Sequence, residues 1–315
     1  MKKPVSLILI LASLLTLLVG CIPNEPENDT AKLVVGALNG PTGMGMASLI
    51  YDAKADENTQ YVIKNYASPD AAIPELTNGT LDMLCLPTNT AATLSGKLDI
   101  SVIAINTLGS LYLLAKNGGE LGSISDLDGK TVYASVPNST TGPILSFIFD
   151  SLDIDVAIEY EPDHDALVAK VVAGAYDYVV LPEPKVSAAL TKTTDYSVRF
   201  NISEEWDKVS DEPLAMGCIV VRNEYLEAHP MVVDKFLKDY KASIEYINTP
   251  ANIDSSVAMI TDAGIIPATG LAKKALSNLY GSIAYIDGEY MKATLTAFYN
   301  AIGQAMPGES FYYVK

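Results

Sequence analysis

Apolar residues along this chain come in short unbroken runs, and amphipathic stretches lie between them. Leu33-Val-Val-Gly-Ala-Leu38 is one such run, the pattern of a strand buried on both faces. Residues 61–66, 82–86 and 100–105 predict further strands. The helix expected after Gly43 carries Met46, Leu49, Ile50 and Ala53 on one face, and Asp70 opens a helix that Gly79 ends. A second unit begins near Tyr112. It predicts a strand over 131–134, a helix over 142–152, a strand over 156–160, a helix over 165–173 closed by Gly174, and a strand over 178–181. Alternation of this kind implies mostly parallel sheets flanked by helices. Residues 216–221 read as a strand near a return crossing. Behind Pro230, the residues Val233, Phe236, Leu237, Tyr240, Ile244 and Ile247 form a helical stripe. Helices are expected again over 252–263, 269–279 and 289–305, so the tail reads as all-helical, without a strand to pair.

Two of these segments repeat one another. Gly79-Thr-Leu-Asp82-Met-Leu-Cys-Leu86-Pro87 returns 95 positions later as Gly174-Ala-Tyr-Asp177-Tyr-Val-Val-Leu181-Pro182. Gly, Asp, Leu and Pro keep the same register, and each copy runs into a loop that opens a helix. Upstream, Leu33–Leu38 leads to Thr42-Gly43, and Thr131-Val-Tyr-Ala134 leads to Thr141-Gly142. Two matching α/β units predict two lobes and a cleft between them in which a small molecule can bind.

The first residues do not fit this scheme. Lys2 and Lys3 precede an apolar stretch over 5–19 that is short for a membrane span and ends in Leu18-Val-Gly-Cys21. This is the form of a lipoprotein leader, residues 1–20, whose Cys21 is acylated; the plainer alternative is a secretory signal with an incidental cysteine. Residues 21–31 read as a flexible tether. The expected division is then 32–108 plus 217–315 for the first lobe with its helical tail, and 109–216 for the second.

Composition narrows the partners. The net charge is −17 and only two arginines occur, Arg199 and Arg222. No nucleic acid partner is expected, because nucleic acid and anionic membrane surfaces call for basic patches. A strongly anionic solute would have to rely on helix N-termini and hydroxyls instead of bidentate arginine. Cys85 and Cys218 lie in apolar strand-like runs and read as buried small hydrophobes, although a non-cytoplasmic setting would permit them to pair.

Catalytic and metal-binding constellations are thin. The two histidines, His164 and His229, stand at helix starts, where capping or a surface role is favoured over metal ligation. No Gly-x-Ser-x-Gly elbow and no Gly-rich phosphate loop with Lys-Ser or Lys-Thr occurs. No cofactor is expected. What stands out is a set of strand-end loops: Thr42-Gly43 with Met44, Thr88 and Asn89, Ser139, Thr140 and Thr141, and Glu183 between two prolines. At helix N-termini such groups either converge on a ligand or simply cap the helix. Four loops in two matching units favour a site. Glu183 either accepts hydrogen bonds from an amine or aminopyrimidine or serves as a helix-start carboxylate. Met44, Met46, Tyr112, Tyr133 and Met216 either pack in the core, the default for most of them, or line an apolar pocket wall, for which Met44 and Tyr133 beside the loops are the better candidates.

Together these segments resemble a substrate-binding lipoprotein of an ABC importer, in the nitrate/taurine/thiamine-precursor (NitT/TauT-like) branch of the type II periplasmic-binding-protein fold. The residues that carry the resemblance are Val35-Gly-Ala-Leu-Asn-Gly-Pro-Thr-Gly-Met-Gly45, Gly79-x-x-Asp82 with Pro87-Thr-Asn-Thr-Ala91, Asp128-Gly-Lys-Thr-Val132 and Leu181-Pro-Glu-Pro184. It implies a two-lobed α/β fold and a small-molecule solute bound by loops at Thr42, Thr88, Asn89 and 139–141. It also implies a permease partner in the membrane, a lipid anchor at Cys21 and a monomer outside the cytoplasm. Hinge closure would occur near 108–113 and 213–221. Enzymes on the same fold, and a sensing lipoprotein not coupled to transport, are the competing readings. The yeast pyrimidine-synthesising relatives use a cysteine-rich motif that this chain lacks, and the eliminating enzymes of menaquinone synthesis are cytosolic.

Overall fold

The computed structural model describes residues 29–315 apart from 120 and 138. The leader, Cys21 and most of the tether lie outside the described residues. The remainder, residues 31–315, forms one compact unit. Its first part is β1 (Leu33–Leu38), α1 (Pro41–Met44), α2 (Ala47–Ala55), β2 (Tyr61–Tyr66), α3 (Pro69–Thr77), β3 (Met83–Pro87), α4 (Thr88–Ser95) and β4 (Ile100–Leu108). The second is β5 (Leu111–Lys116), β6 (Thr131–Ser135), α5 (Thr141–Ser151), β7 (Ala157–Glu161), α6 (His164–Val172), β8 (Tyr178–Pro182), α7 (Lys185–Lys192), β9 (Tyr196–Asn201) and α8 (Ile202–Trp206). The chain then adds β10 (Ala215–Arg222), α9 (Asn223–Ala228), α10 (Pro230–Ile247), α11 (Ile253–Asp262), α12 (Thr269–Asn278), β11 (Ile283–Ile286) and α13 (Gly288–Ala301).

The strands form two sheets, β11-β4-β10-β3-β1-β2 and β7-β6-β8-β5-β9. Apart from β11 they have one topology, with β10 and β5 in the same place. In the first sheet β1 pairs parallel with β2 and β3, and β10 pairs antiparallel with both β3 and β4. In the second β6 pairs parallel with β7 and β8, and β5 pairs antiparallel with both β8 and β9. Apart from β11, which runs with β10, the other strands of each sheet run one way and a single inner strand runs against them. The fold is a two-lobed mixed α/β architecture, one sheet per lobe.

The repeated segments are the equivalent strands β3 and β8. Each follows a helix that ends in a glycine with left-handed backbone, Gly79 at φ +79° and Gly174 at φ +67°, where a side chain would be strained. Each glycine also packs beneath the last residue of the inner antiparallel strand. A Cβ on Gly79 would lie 3.0 Å from the Arg222 guanidinium, and one on Gly174 would lie 3.5 Å from the Lys116 ammonium.

The tail departs from the all-helical expectation. Ile283–Ile286 is a strand, and it pairs antiparallel with β4 through Ile283↔Thr107 and Ile286↔Ile105. Four residues are too few to reveal a period in sequence, and what makes them a strand is the open edge of β4. Likewise β4 runs past residue 105 to Leu108, because β10 and β11 supply partners for its polar end.

The core has three parts. One lies between the first sheet and α2, α10, α11 and α12, with Phe236, Tyr240 and Leu276 at its centre. Another covers the opposite face of the first sheet and one face of the second, so it joins the lobes through Leu84, Leu113, Trp206 and Phe298. The third covers the remaining face of the second sheet. Cys85 belongs to the first part and Cys218 to the second. They sit one residue out of register on neighbouring strands, with Ile219 opposite Cys85, so their side chains point to opposite faces. Both thiols are free and buried. Among the described residues no helix is long and apolar enough to cross a membrane.

Trp206 is one apolar tie between the lobes. Its ring lies 4.8 Å from Phe147 and 5.8 Å from Phe298, and its Nε1 donates to the Glu212 carbonyl at 2.8 Å. Trp206→Ala is expected to lower unfolding stability by about 3–5 kcal/mol, the usual cost of emptying a buried aromatic site. Denaturant titration followed by circular dichroism checks this, and a loss below about 1 kcal/mol would show that the lobes do not depend on this contact.

Candidate ligand cleft at the strand ends

The chain crosses between the sheets twice, at Gly109-Ser110 and at Pro213-Leu214. Close packing marks both crossings. A Cβ on Gly109 would lie 1.5 Å from Ser203 Oγ, so only glycine fits there. The Ser110 carbonyl accepts from the Glu183 amide at 2.9 Å and its hydroxyl donates to Met216 Sδ at 3.8 Å. On β10, Gly217 faces Pro87 and Thr107. A Cβ at Gly217 would fall 2.6 Å from Thr42 Cγ2 and 2.7 Å from Asn106 Oδ1. Thr42, Asn106, Gly217, Ser110 and Met216 thus gather where the strand ends of both sheets meet the crossings.

Across this region the lobes approach one another. The β1 loop and the β8 loop come within contact distance, since a Cβ on Gly40 would lie 3.9 Å from Pro184 Cδ. Cavities of 520 Å³ and 420 Å³ lie elsewhere. The larger is bordered by α2 and α10, where Lys235 pairs with Asp239 at 2.6 Å and Tyr61 donates to the same carboxylate at 2.7 Å. At the Gly40–Pro184 approach the strand-end cleft is narrow.

The candidate residues divide into those that face outward and those the fold has already engaged. Asn89 is half-buried in the first turn of α4, and its Oδ1 accepts from the Thr90 hydroxyl at 3.4 Å. Thr88 is engaged: its hydroxyl donates to the Ala215 carbonyl at 2.8 Å, and its own carbonyl accepts from Tyr299 at 3.0 Å. Its role is to tie α4 to the second crossing. Gly43 has no room for a side chain, because a Cβ would lie 2.0 Å from the Leu38 carbonyl oxygen. Met44 is fully buried in the first core, the core-packing alternative for this residue. Tyr133 does line a cavity, but one away from the crossings. It lies two residues back from the end of β6, stacked on Tyr176 at 3.5 Å, and lines the 420 Å³ cavity.

The β6–α5 loop carries local strain. Val136 has φ +58°, a conformation that β-branched residues rarely adopt. The following turn is bonded to itself, with Ser139 Oγ donating to the Ser135 carbonyl and accepting from the Thr141 amide, each at 3.4 Å. Thr140 and Thr141 are buried at the start of α5.

Glu183 resolves toward the helix-start alternative. It is 1% exposed. Its Oε1 accepts from the Ser187 hydroxyl at 2.9 Å and from Asn278 Nδ2 at 2.6 Å, and its Oε2 accepts from the Ser187 amide at 3.2 Å. These bonds use most of a carboxylate's acceptor capacity, and one of them comes from the other lobe. Asn278, the partner from the tail, carries no signal in the sequence that would have marked it.

His164 is neither a cap nor a surface residue. Asp163 caps α6 by accepting from the Ala166 amide at 2.8 Å. The His164 Nδ1 instead meets Ser135 Oγ at 2.5 Å. Burial, and then the nearby Lys185 ammonium, hold the imidazole below its ordinary pKa against the pull of Asp165 and Asp163. Lys185 is itself paired with Asp165 at 2.5 Å. Among the described residues no group of three or more His, Cys, Asp and Glu side chains is placed to hold a metal ion.

The lowered imidazole pKa fixes a sign. Between the folded and the ordinary pKa, the unfolded chain binds a proton that the folded one does not, so stability falls as pH drops through about 6.5 toward the folded value. His164→Gln is expected to flatten the stability profile between about pH 7 and pH 5 relative to the native chain. Urea midpoints across that range check it, and parallel profiles would rule out His164 as the cause.

No protein-family model matches the chain, and no curated protein matches it by sequence. Solved structures do match. An ABC transporter structure from Parabacteroides distasonis is 20% identical, covers 91% of this chain and 100% of its own, and superposes with a TM-score of 0.74. The periplasmic aliphatic sulphonate binding protein of Escherichia coli is 14% identical over 90% of this chain and 92% of its own, with a TM-score of 0.71. The periplasmic nitrate-binding protein of Synechocystis PCC 6803 is 10% identical over 84% of this chain and 75% of its own, at 0.58. The chain thus has the two-lobed fold that these binding proteins share.

Proposed function

We propose that this chain is an extracytoplasmic solute-binding lipoprotein that captures a compact polar or heteroaromatic solute between its lobes and passes it to an ABC importer in the membrane. The observation that carries the reading is the pair of sheets with one topology, joined by two tight crossings and brought face to face at Gly40 and Pro184. The sulphonate- and nitrate-binding structures with this fold support it. Thr42, Asn89 and the 139–141 turn are the proposed solute contacts, with Met216 against the floor. Glu183 and Thr88 serve the architecture that holds these loops.

A binder fits these residues better than a catalyst. Ser135 and His164 have the form of a nucleophile and its base. Ser135, however, is 1% exposed, so a substrate has no access to its hydroxyl. Native mass spectrometry of protein purified without refolding is expected to reveal a small noncovalent adduct that is recovered chemically unchanged after incubation. Turnover of that molecule, abolished by His164→Gln, would establish the enzyme reading. Protein that is always empty, and that no metabolite fraction stabilises against heat, would refute solute capture.

The anchoring rests on the leader, where Leu18-Val-Gly-Cys21 follows a basic start and an apolar run. Cys21→Ala is expected to move the protein from the membrane fraction to the soluble one in a bacterial host. Retention of the variant at the membrane, with no lipid on the native chain, would remove the anchor from this account.

A further inference from the structure

We propose that Asn278 clasps the two lobes together and so sets how far the cleft opens. Asn278 is the last residue of α12, which buries Ala272, Ala275 and Leu276 in the core of the first lobe. Its two bonds go to the other lobe. Its side-chain amide donates to Glu183 Oε1, just beyond the end of β8, at 2.6 Å. Its main-chain carbonyl accepts from the Tyr112 hydroxyl, on β5, at 2.5 Å.

Both bonds have a physical reason to persist. The last carbonyls of a helix lack partners within it, and Tyr112 satisfies one of them. Burial, followed by the charge of Glu183, pushes the Tyr112 phenol up to about 12, so it remains a donor at neutral pH. Glu183 is held in place by Ser187 and takes from Asn278 a bond to a charged acceptor, the stronger class of hydrogen bond. The Gly40–Pro184 approach lies beside the same β8 loop, so the clasp and the narrow cleft belong to one arrangement of the lobes.

The consequence is a population shift. Bonds between the protein's own residues favour the arrangement in which the lobes approach, so solute supplies only the remainder of the closing free energy. That consequence rests on the solute-capture reading; the clasp rests on the bonds alone. Its test therefore uses the empty protein.

Spin labels at Val62→Cys on β2 and Val172→Cys on α6, both exposed positions in different lobes, report lobe separation in a Cys21→Ser full-length chain. Cys85 and Cys218 are buried and stay unlabelled. The native clasp is expected to give one short distance population without solute. Asn278→Ala should raise the longer-distance population roughly ten- to a hundredfold, as loss of a hydrogen bond to a charged group implies. Asn278→Asp, which sets a second carboxylate against Glu183, should raise it further. Tyr112→Phe removes one bond and leaves the ring packing, so it decides the matter should the Asn278 variants fail to fold. Distance distributions that match the native chain in every folded variant would overturn the clasp. They would do so whether or not the protein captures a solute.

Discussion

Each sheet is completed by one strand that runs against its neighbours. In the first sheet β10 supplies hydrogen bonds to β3 on one side and β4 on the other; in the second, β5 does the same for β8 and β9. Without these strands four others would lose their main-chain partners on one side, a cost that apolar packing cannot replace. The two inner strands are also the products of the two crossings. The bonds that hold each sheet together therefore fix where each crossing enters its lobe, and the strand-end loops take their places in each lobe from that.

The same constraint explains the repeat. Gly79 and Gly174 end their helices in a left-handed conformation, and the absence of a side chain lets Arg222 and Lys116 settle over them. Asp82 then accepts from the Val34 amide at 2.9 Å and lies 3.8 Å from the Arg222 guanidinium. In the second copy Lys116 donates to the Gly174 carbonyl at 2.8 Å. A motif that reads as a duplicated binding segment is, in its first half, a device for seating the inner strand. Only its last residues, beyond Pro87 and Pro182, reach the cleft.

Near the cleft, architecture and recognition compete for the same polar groups. Thr88 and Glu183 lie where ligand contacts would be expected, yet their side chains are bonded to the second crossing and to α7 and α12. Thr42, Asn89 and the strained Val136 turn stand at the same level of the fold, around the gap between the lobes. The hydrogen bonds of Thr88 and Glu183 thus belong to the frame, while Asn89 carries only a long contact to its neighbour Thr90.

What the chain determined locally is clear from β1, β2 and α10. Leu33–Leu38 and Tyr61–Tyr66 were legible as strands, and the stripe from Val233 to Ile247 as a buried helix face, because burial at these places follows from spacing along the chain. Cys85 and Cys218 were legible as small hydrophobes for the same reason. The tertiary structure alone decided the rest. Ile283–Ile286 became a strand because β4 offered an edge, and Tyr133 turned to stack on Tyr176, 43 positions away in a chain whose alternation says nothing of that partner. Glu183 took its role from Asn278, across 95 residues of sequence and the gap between two lobes. Local pattern reports which side of an element is buried, but a hydrogen bond between lobes depends on where both elements come to rest, and only the packed chain settles that.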